Sequence, residues 1–161
     1  MQRIFYVLLS FNGRIKRLTW LVFFLSISAV EYCCTFFFGD VLHISGPIGS
    51  GQGLFSADYF GDRASLLAGL IFLWPSLALD VKRWHDMGRS GYYTLIVYGP
   101  FFALYAAGLT AAVEVPEPQA SRLMSVLALI VLVYFVILAA RKGTPGANRF
   151  GPAGPLPFQV F

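Results

Sequence analysis

Charged side chains are scarce in this sequence of 161 residues. They account for 12% of it, whereas hydrophobic residues account for 57%, and a soluble domain carries roughly a quarter charged residues. The shortage excludes an ordinary water-soluble domain. Long apolar runs instead indicate one integral-membrane domain over residues 1–161. The formal net charge of +4 is therefore interpreted as a topology signal, and no nucleic-acid partner is expected.

Cysteine is almost absent too, and the two that occur are neighbours. Cys33 and Cys34 lie side by side in an apolar run, so they provide neither a disulfide framework nor the spacing of a metal site. No metal or other cofactor is expected. A small-residue cleavage site is also missing after the short N-terminal run IFYVLLSF, which argues against a removable signal peptide.

Four apolar stretches predict four transmembrane helices. About 20 residues rising ~1.5 Å each cross a hydrocarbon layer of about 30 Å, and the stretches lack the alternation that a membrane barrel requires. The second stretch is short, so its helix is expected to continue into the polar segment that follows. The predicted fold is an all-α four-helix membrane bundle with spans at about residues 19–38, 64–79, 92–112 and 123–140.

Positive charge is distributed unevenly among the segments that flank these spans. Ten of the 12 Lys and Arg residues lie in the N-terminal segment, the second loop and the tail, and only Arg63 and Arg122 lie in the other two loops. Because loops rich in Lys and Arg stay on the cytoplasmic side, both the N terminus and the C terminus are predicted to be cytoplasmic.

The segment RWHDMGRSGYY, residues 83–93, joins the second and third spans. Gly88 is expected to end the preceding helix in the left-handed conformation, and Ser90 is expected to cap the next helix. Arg83 and Arg89 flank the free N–H groups that begin at Gly91. This arrangement predicts an anion site suited to a phosphate or a lipid headgroup.

Titratable residues crowd around the same segment and allow two interpretations. Helical spacing predicts ion pairs between Asp80 and Arg83 and between Lys82 and Asp86. His85 could instead act as a general base, but neighbouring residues on a helix point about 100° apart, so Asp86 is badly placed to orient it. The structural interpretation is favoured, and no catalytic residue is assigned.

Glu31 is an acidic residue inside the first predicted span. An ionised carboxylate there costs several kcal/mol unless it is paired, protonated or hydrated. One interpretation is an ion or proton site, and the other is an interhelical hydrogen bond made by a protonated carboxyl. The structural interpretation is favoured because no second charge is expected at a similar depth.

Three sequence blocks flank the spans: FNGRIKRLTW, KRWHDMGRSGYY and GTPGANRFGP. In this order and at these positions they resemble the motif blocks of the bacterial inner-membrane proteins grouped as domain of unknown function family 805. The resemblance covers about residues 11–152 and implies a small multi-pass inner-membrane protein with no assigned reaction. Members of that family are expected to have an acidic residue shortly after the second arginine of the first block, and this chain departs from them by having Thr19 there.

All three blocks are predicted to lie on the cytoplasmic side, where their polar residues could meet in one polar layer beneath the bundle. Glycines and prolines make the tail a series of turns able to fold back onto this layer. The polar layer consists of Arg14, Arg17, Asp80, Arg83, His85, Asp86, Arg89, Asn148 and Arg149.

The sequence thus favours a non-enzymatic structural or binding protein of the bacterial inner membrane. Its polar layer is expected to engage anionic membrane lipids or a partner protein, and a homo-oligomer is a further option. Two alternatives stay open. One is a small transporter or channel that uses Glu31, and the other is an interfacial enzyme that acts on lipid or phosphate substrates through His85.

Overall fold

A computed structural model describes residues 2–41, 63–109 and 117–153 of the chain. Most of the two predicted outer loops lies outside these residues. Within them the chain is helical, and the only extended pairing is an isolated bridge between Asn148 and Gly151. The helices are α1 (Gln2–Leu9), α2 (Arg17–Phe36), α3 (Arg63–Asp86), α4 (Leu95–Leu109) and α5 (Glu117–Ala140).

Two short segments extend these helices in other geometries. A π-helical turn, Phe37–Val41, continues α2, and a 3₁₀ turn, Gly91–Thr94, leads into α4. The all-helical prediction is confirmed for the described part of the chain. As expected, α3 continues beyond the apolar stretch into the polar segment, because its last turns are held by neighbouring segments described below.

One helical segment among the described residues, Arg17–Val41, is long and apolar enough to cross a membrane by its length and composition. The apolar part of α5, Ser125–Ala140, is shorter. The helices α2, α3, α4 and α5 overlap the four predicted spans, but among the described residues only the segment that contains α2 is long and apolar enough to cross a membrane.

Helix α3 occupies the centre of the molecule and packs against both α1 and α2, while α5 contacts α2, α3 and α4. Aromatic rings fill much of the space between α2 and α5. Trp20 stacks on Phe24 with ring centroids 5.2 Å apart, and Phe135 packs on Phe24 at 4.8 Å. The remaining buried core residues are Val7, Ile15, Phe23, Ile27, Leu79, Trp84, Val97, Tyr134 and Leu138.

The distribution of apolar and charged side chains is the reverse of that in a water-soluble protein. Large apolar side chains are exposed on the outer faces of the long helices, for example Leu25 at 56% and Leu129 at 60%. Charged side chains are buried instead, and they lie at the end of the bundle where α3 and α5 finish. The buried polar residues are Arg14, Thr19, Asp80, Lys82, Arg83, Asp86 and Thr94.

Candidate functional site

The C-terminal tail folds back and caps the end of α3. The last carbonyls of a helix have no partner within the helix and must be satisfied from outside. The Thr144 N–H and hydroxyl both donate to the Asp86 carbonyl, at 2.8 and 3.0 Å, and the Asn148 amide donates to the His85 carbonyl at 2.9 Å. Positive φ angles at Gly146 (70°) and Gly151 (123°) provide the turns. The predicted return of the tail onto the polar layer is confirmed.

A buried carboxylate lies between two arginines at the centre of the polar layer. Asp86 accepts from Arg14 at 3.0 Å and from Arg83 at 2.6 Å, and all three side chains are almost fully buried. Arg14 also donates to the carbonyls of Thr144 at 2.7 Å and Gly146 at 2.6 Å. This cluster therefore connects the segment before α2, the end of α3 and the tail, and it carries one net positive charge.

Arg83 is occupied by structural contacts. Besides Asp86, its guanidinium donates to the carbonyl of Leu138 at 2.8 Å and to that of Arg141, so it caps the end of α5. The predicted ion pair between Arg83 and Asp80 is therefore wrong. The spacing was favourable for either acid, but Asp86 lies toward the helix end, where Arg83 can also reach the unsatisfied carbonyls of α5.

Asp80 is held by neutral donors from three other helices. Its carboxylate accepts from Trp20 Nε1 at 2.8 Å, from the Tyr98 hydroxyl at 3.1 Å and from the Tyr134 hydroxyl at 3.1 Å. Trp84 Nε1 in turn donates to the Tyr134 hydroxyl at 3.2 Å. These hydrogen bonds join α2, α4 and α5 to α3. Sequence spacing does not predict the bonds to Asp80, because Trp20, Tyr98 and Tyr134 are far from it in the chain.

Lys82 fastens α1 to α3. Its ammonium donates to the carbonyls of Tyr6 at 2.5 Å and Val7 at 2.8 Å, which lie near the C-terminal end of α1, where a cation is favoured. Burial lowers the pKa of Lys82 to about 8. The predicted ion pair between Lys82 and Asp86 is therefore wrong, because Lys82 turns toward α1 and Asp86 is taken by the two arginines.

His85 is enclosed by backbone and aromatic partners. Its Nδ1 lies 3.2 Å from the Gly13 carbonyl, and its ring stacks on Phe150 with centroids 3.9 Å apart and planes 7° from parallel. Burial is the main cause that lowers the pKa of His85 below its ordinary value; the hydrogen bond to Gly13 opposes this shift, and Arg149 and Lys82 add to it. The hydrogen bond goes to a carbonyl, and within the described residues no carboxylate is hydrogen-bonded to the ring.

The turn between α3 and α4 has the predicted local geometry. Gly88 has a φ of 73°, and the Ser90 hydroxyl accepts from the Tyr92 N–H at 3.4 Å. Both the left-handed end of the helix and the Ser90 cap are thus confirmed. Gly91 lies so close to Val81 that a Cβ placed on it would be 2.7 Å from the Val81 Cγ1 atom.

The arginines predicted to flank this turn do not converge on Ser90. Arg83 is buried at the end of α5, whereas Arg89 is exposed to solvent. Arg149 reaches the Gly88 carbonyl at 3.5 Å, and its guanidinium lies 4.6 Å from the centre of the Phe150 ring. These contacts stabilise the turn and the tail.

Positive side chains do converge on a pocket of about 380 Å³ between the start of α2, the end of α3 and the tail. Arg17 lines it as a predicted member of the polar layer, whereas Lys16 and Lys142 were not singled out from the sequence. Both lysines belong to, or lie beside, the motif blocks, but only the folded tail brings them together. This basic pocket is lined by Arg14, Lys16, Arg17, Asp86, Lys142, Gly143, Thr144, Pro145, Gly146 and Ala153.

Glu31 lies far from this end, half-buried on α2. Its Oε1 atom is 3.7 Å from the position that a Cβ would take on Gly69 of α3. Thr35 donates to the Glu31 carbonyl at 3.0 Å. No hydrogen bond joins the Glu31 carboxyl to another helix within the described ranges, so the interhelical hydrogen bond stays a prediction.

Most of the site lies within the part of the chain that matches one protein family. The chain is 33% identical over 79 residues to the uncharacterized protein YiiR of Escherichia coli K12 and to that of E. coli O157:H7. This match covers 49% of the chain and 52% of each relative, so the chain spans about half the length of the curated relatives it matches. No solved structure matches. Residues 8–152 match the family described as "Protein of unknown function (DUF805)", and the chain therefore belongs to the DUF805 family, as the three motif blocks predicted.

Proposed function

We propose that the protein is a non-enzymatic four-span protein of the bacterial inner membrane that binds anionic lipid headgroups at its cytoplasmic face. The observation that carries the proposal is the concentration of cationic side chains at one end of a bundle whose outer faces are apolar. A membrane supplies both environments, because hydrocarbon covers the apolar faces and headgroup phosphates meet the cations.

The exposed apolar surface supports membrane insertion. Large exposed side chains recur on four helices, including Leu21 on α2, Leu70 on α3, Ile96 on α4 and Leu132 on α5. Water-soluble monomers rarely expose contiguous apolar surface on this scale. The proposed spans are the four predicted ones, and among the described residues the segment Arg17–Val41 alone is long and apolar enough to cross a membrane by length and composition.

The proposed orientation follows from the cationic end. The segment before α2, the end of α3 and the start of the tail meet there through Arg14, Asp86 and Thr144. They belong to the N-terminal segment, the second loop and the tail, which together hold ten of the 12 basic residues. Retention of Lys and Arg on the cytoplasmic side favours both termini inside the cell.

A binding role is favoured over catalysis because the candidate acid and base groups are committed to structural contacts. Asp86 neutralises two buried arginines, and Asp80 accepts three hydrogen bonds inside the bundle. His85 is stacked and bonded to a carbonyl. None of the three is left as an accessible proton donor or acceptor next to a nucleophile.

Topology is tested with reporters fused after Phe161 and inserted between α4 and α5. A reporter active only in the cytoplasm should be active at the first position and silent at the second. A periplasmic C terminus would contradict the orientation.

Lipid binding is tested by native mass spectrometry of protein released from nanodiscs that contain phosphatidylglycerol and phosphatidylcholine in equal amounts. We expect phosphatidylglycerol to be enriched among the lipids that stay bound. Arg122→Gln is the matched control, because it removes one exposed arginine from the opposite end of α5 and should leave the enrichment unchanged. Retained lipids in the bulk ratio would contradict the proposal, as would recovery of a protein partner in place of lipid.

A further inference from the structure

We propose that the basic pocket is a binding site for a single phosphate group, which deepens the proposed function and, for a lipid ligand, rests on it. The pocket lies between the start of α2, the end of α3 and residues 142–146 of the tail. It differs from the site predicted at Ser90, where the arginines do not converge.

The pocket carries positive charge, and most of its cations make no ion pair within the described residues. Both ion pairs in the described part of the chain belong to Asp86, so the one carboxylate in the lining is already neutralised by Arg14 and Arg83. Lys16, Arg17 and Lys142 make no ion pair within those residues. Three cations that repel one another around a concave surface are stabilised by an anion that lies between them.

The backbone at the start of α2 adds to this field. Lys16 is the N-cap residue of α2, and its side chain makes no capping hydrogen bond. The first N–H groups of a helix carry partial positive charge and favour anions. This 20-residue helix thus directs its positive end toward the wall that Lys16 and Arg17 line. The helix end supports the proposal, and the cationic pocket carries it.

The pocket has room for a phosphate together with the headgroup atoms attached to it, and its walls are held in place. Its volume of about 380 Å³ lies at the lower end of the roughly 300–1,000 Å³ found for small-ligand pockets. The tail wall is held in place by the hydrogen bonds of Arg14 to the Thr144 and Gly146 carbonyls. Gly143 brings the tail so close to α3 that a methyl group on it would collide with the Asp86 carboxylate.

A lipid is a natural source of this phosphate because the pocket adjoins an apolar helix face. Leu18, Leu21 and Leu25 follow Arg17 at positions close to one side of α2, and all three are exposed. A phosphate held by Arg17 and Lys16 would leave its acyl chains against these leucines. Free inorganic phosphate offers the same charge without this apolar contact, so the two sources can be separated.

The test removes two cations from the pocket and the same number from elsewhere on the cytoplasmic face. Lys16→Gln with Lys142→Gln is the pocket variant, and Arg89→Gln with Arg141→Gln is the control, since neither arginine lines the pocket. The side chains of Arg14, Arg83 and Asp86 are left unchanged because they hold the fold. Each protein is measured in nanodiscs with phosphatidylglycerol and phosphatidylcholine, and in detergent with inorganic phosphate by isothermal titration.

The pocket variant should lose bound phosphatidylglycerol at least about tenfold more than the control. Both variants lose the attraction of two cations to an anionic surface, but only the pocket variant also loses two charge-assisted hydrogen bonds to the phosphate. Loss of phosphate binding in detergent only in the pocket variant would support the pocket as a phosphate site. If no lipid is enriched in the nanodiscs at the same time, the proposed lipid ligand is overturned. Equal lipid enrichment in both variants would overturn the pocket while leaving the proposed function standing. If the wild-type protein binds neither probe, both proposals fail. Lys142→Glu, a single exposed substitution, repeats the test should the double variant not fold.

Discussion

Neutralising Asp86 should destabilise the protein more than any change at an exposed acidic residue. Asp86→Asn keeps the size of the side chain but removes the charge between Arg14 and Arg83, whose side chains are 0% exposed. Two guanidinium groups would then stay buried with one amide oxygen and the tail carbonyls as acceptors. Removing one partner from a buried ion pair costs about 3–5 kcal/mol, and here one partner serves two cations.

The assay is reversible unfolding in detergent micelles by urea, followed through tryptophan fluorescence, to which the buried Trp20 and Trp84 contribute. The expected loss in free energy of unfolding is about 3–5 kcal/mol for Asp86→Asn. Asp40→Asn is the matched control, because Asp40 is exposed and surface substitutions usually stay within about 0.5 kcal/mol. A loss below about 1 kcal/mol for Asp86→Asn, the range of a surface ion pair, would refute the buried-cluster argument.

Three further changes test other parts of the site. Gly143→Ala should release the tail, because the added methyl group collides with Asp86; protease cleavage within residues 141–153 should accelerate at least tenfold, and unchanged protection would contradict the close approach. Lys82→Met removes both hydrogen bonds to the end of α1, so the rate of amide exchange in α1 should rise by about one order of magnitude or more while the rate in α5 stays constant. An equal rise in both helices would refute a local role for Lys82. The pKa of His85 is lowered in the folded protein, so the unfolded chain binds more protons and stability should fall as pH drops through 6.5. Between pH 7.5 and 5, the midpoint of thermal unfolding should therefore fall less in His85→Gln than in the wild type. Equal losses would show that other groups set the pH dependence.

Local features of the site could be predicted because they depend on neighbouring residues. Gly88 ends its helix with a positive φ, and Ser90 caps the turn after it, since both effects act within a few residues. The return of the tail followed from its turn-forming glycines. The family was recognisable from three blocks whose order and spacing are visible in the chain itself.

The predicted ion pairs show where this reasoning stops. Spacing along α3 allowed Asp80 to pair with Arg83 and Lys82 to pair with Asp86, but Asp80 and Lys82 have their partners in other segments. Lys82 donates to the carbonyls of α1, and Asp80 accepts from Trp20, Tyr98 and Tyr134. A buried polar group takes whichever partner best replaces its lost water, and periodicity on one helix cannot identify a partner on another.

Composition and spacing are properties of the linear chain, and they were enough to predict its helices, the polar blocks between its apolar stretches and the gathering of basic residues at one end. Packing between distant segments settles which cations hold the helix ends and which stay available around a pocket. Arg14 and Arg83 became structural because unsatisfied carbonyls and Asp86 surround them. Lys16, Arg17 and Lys142 line the basic pocket because the tail returns to α2, which is a matter of packing between segments more than a hundred residues apart.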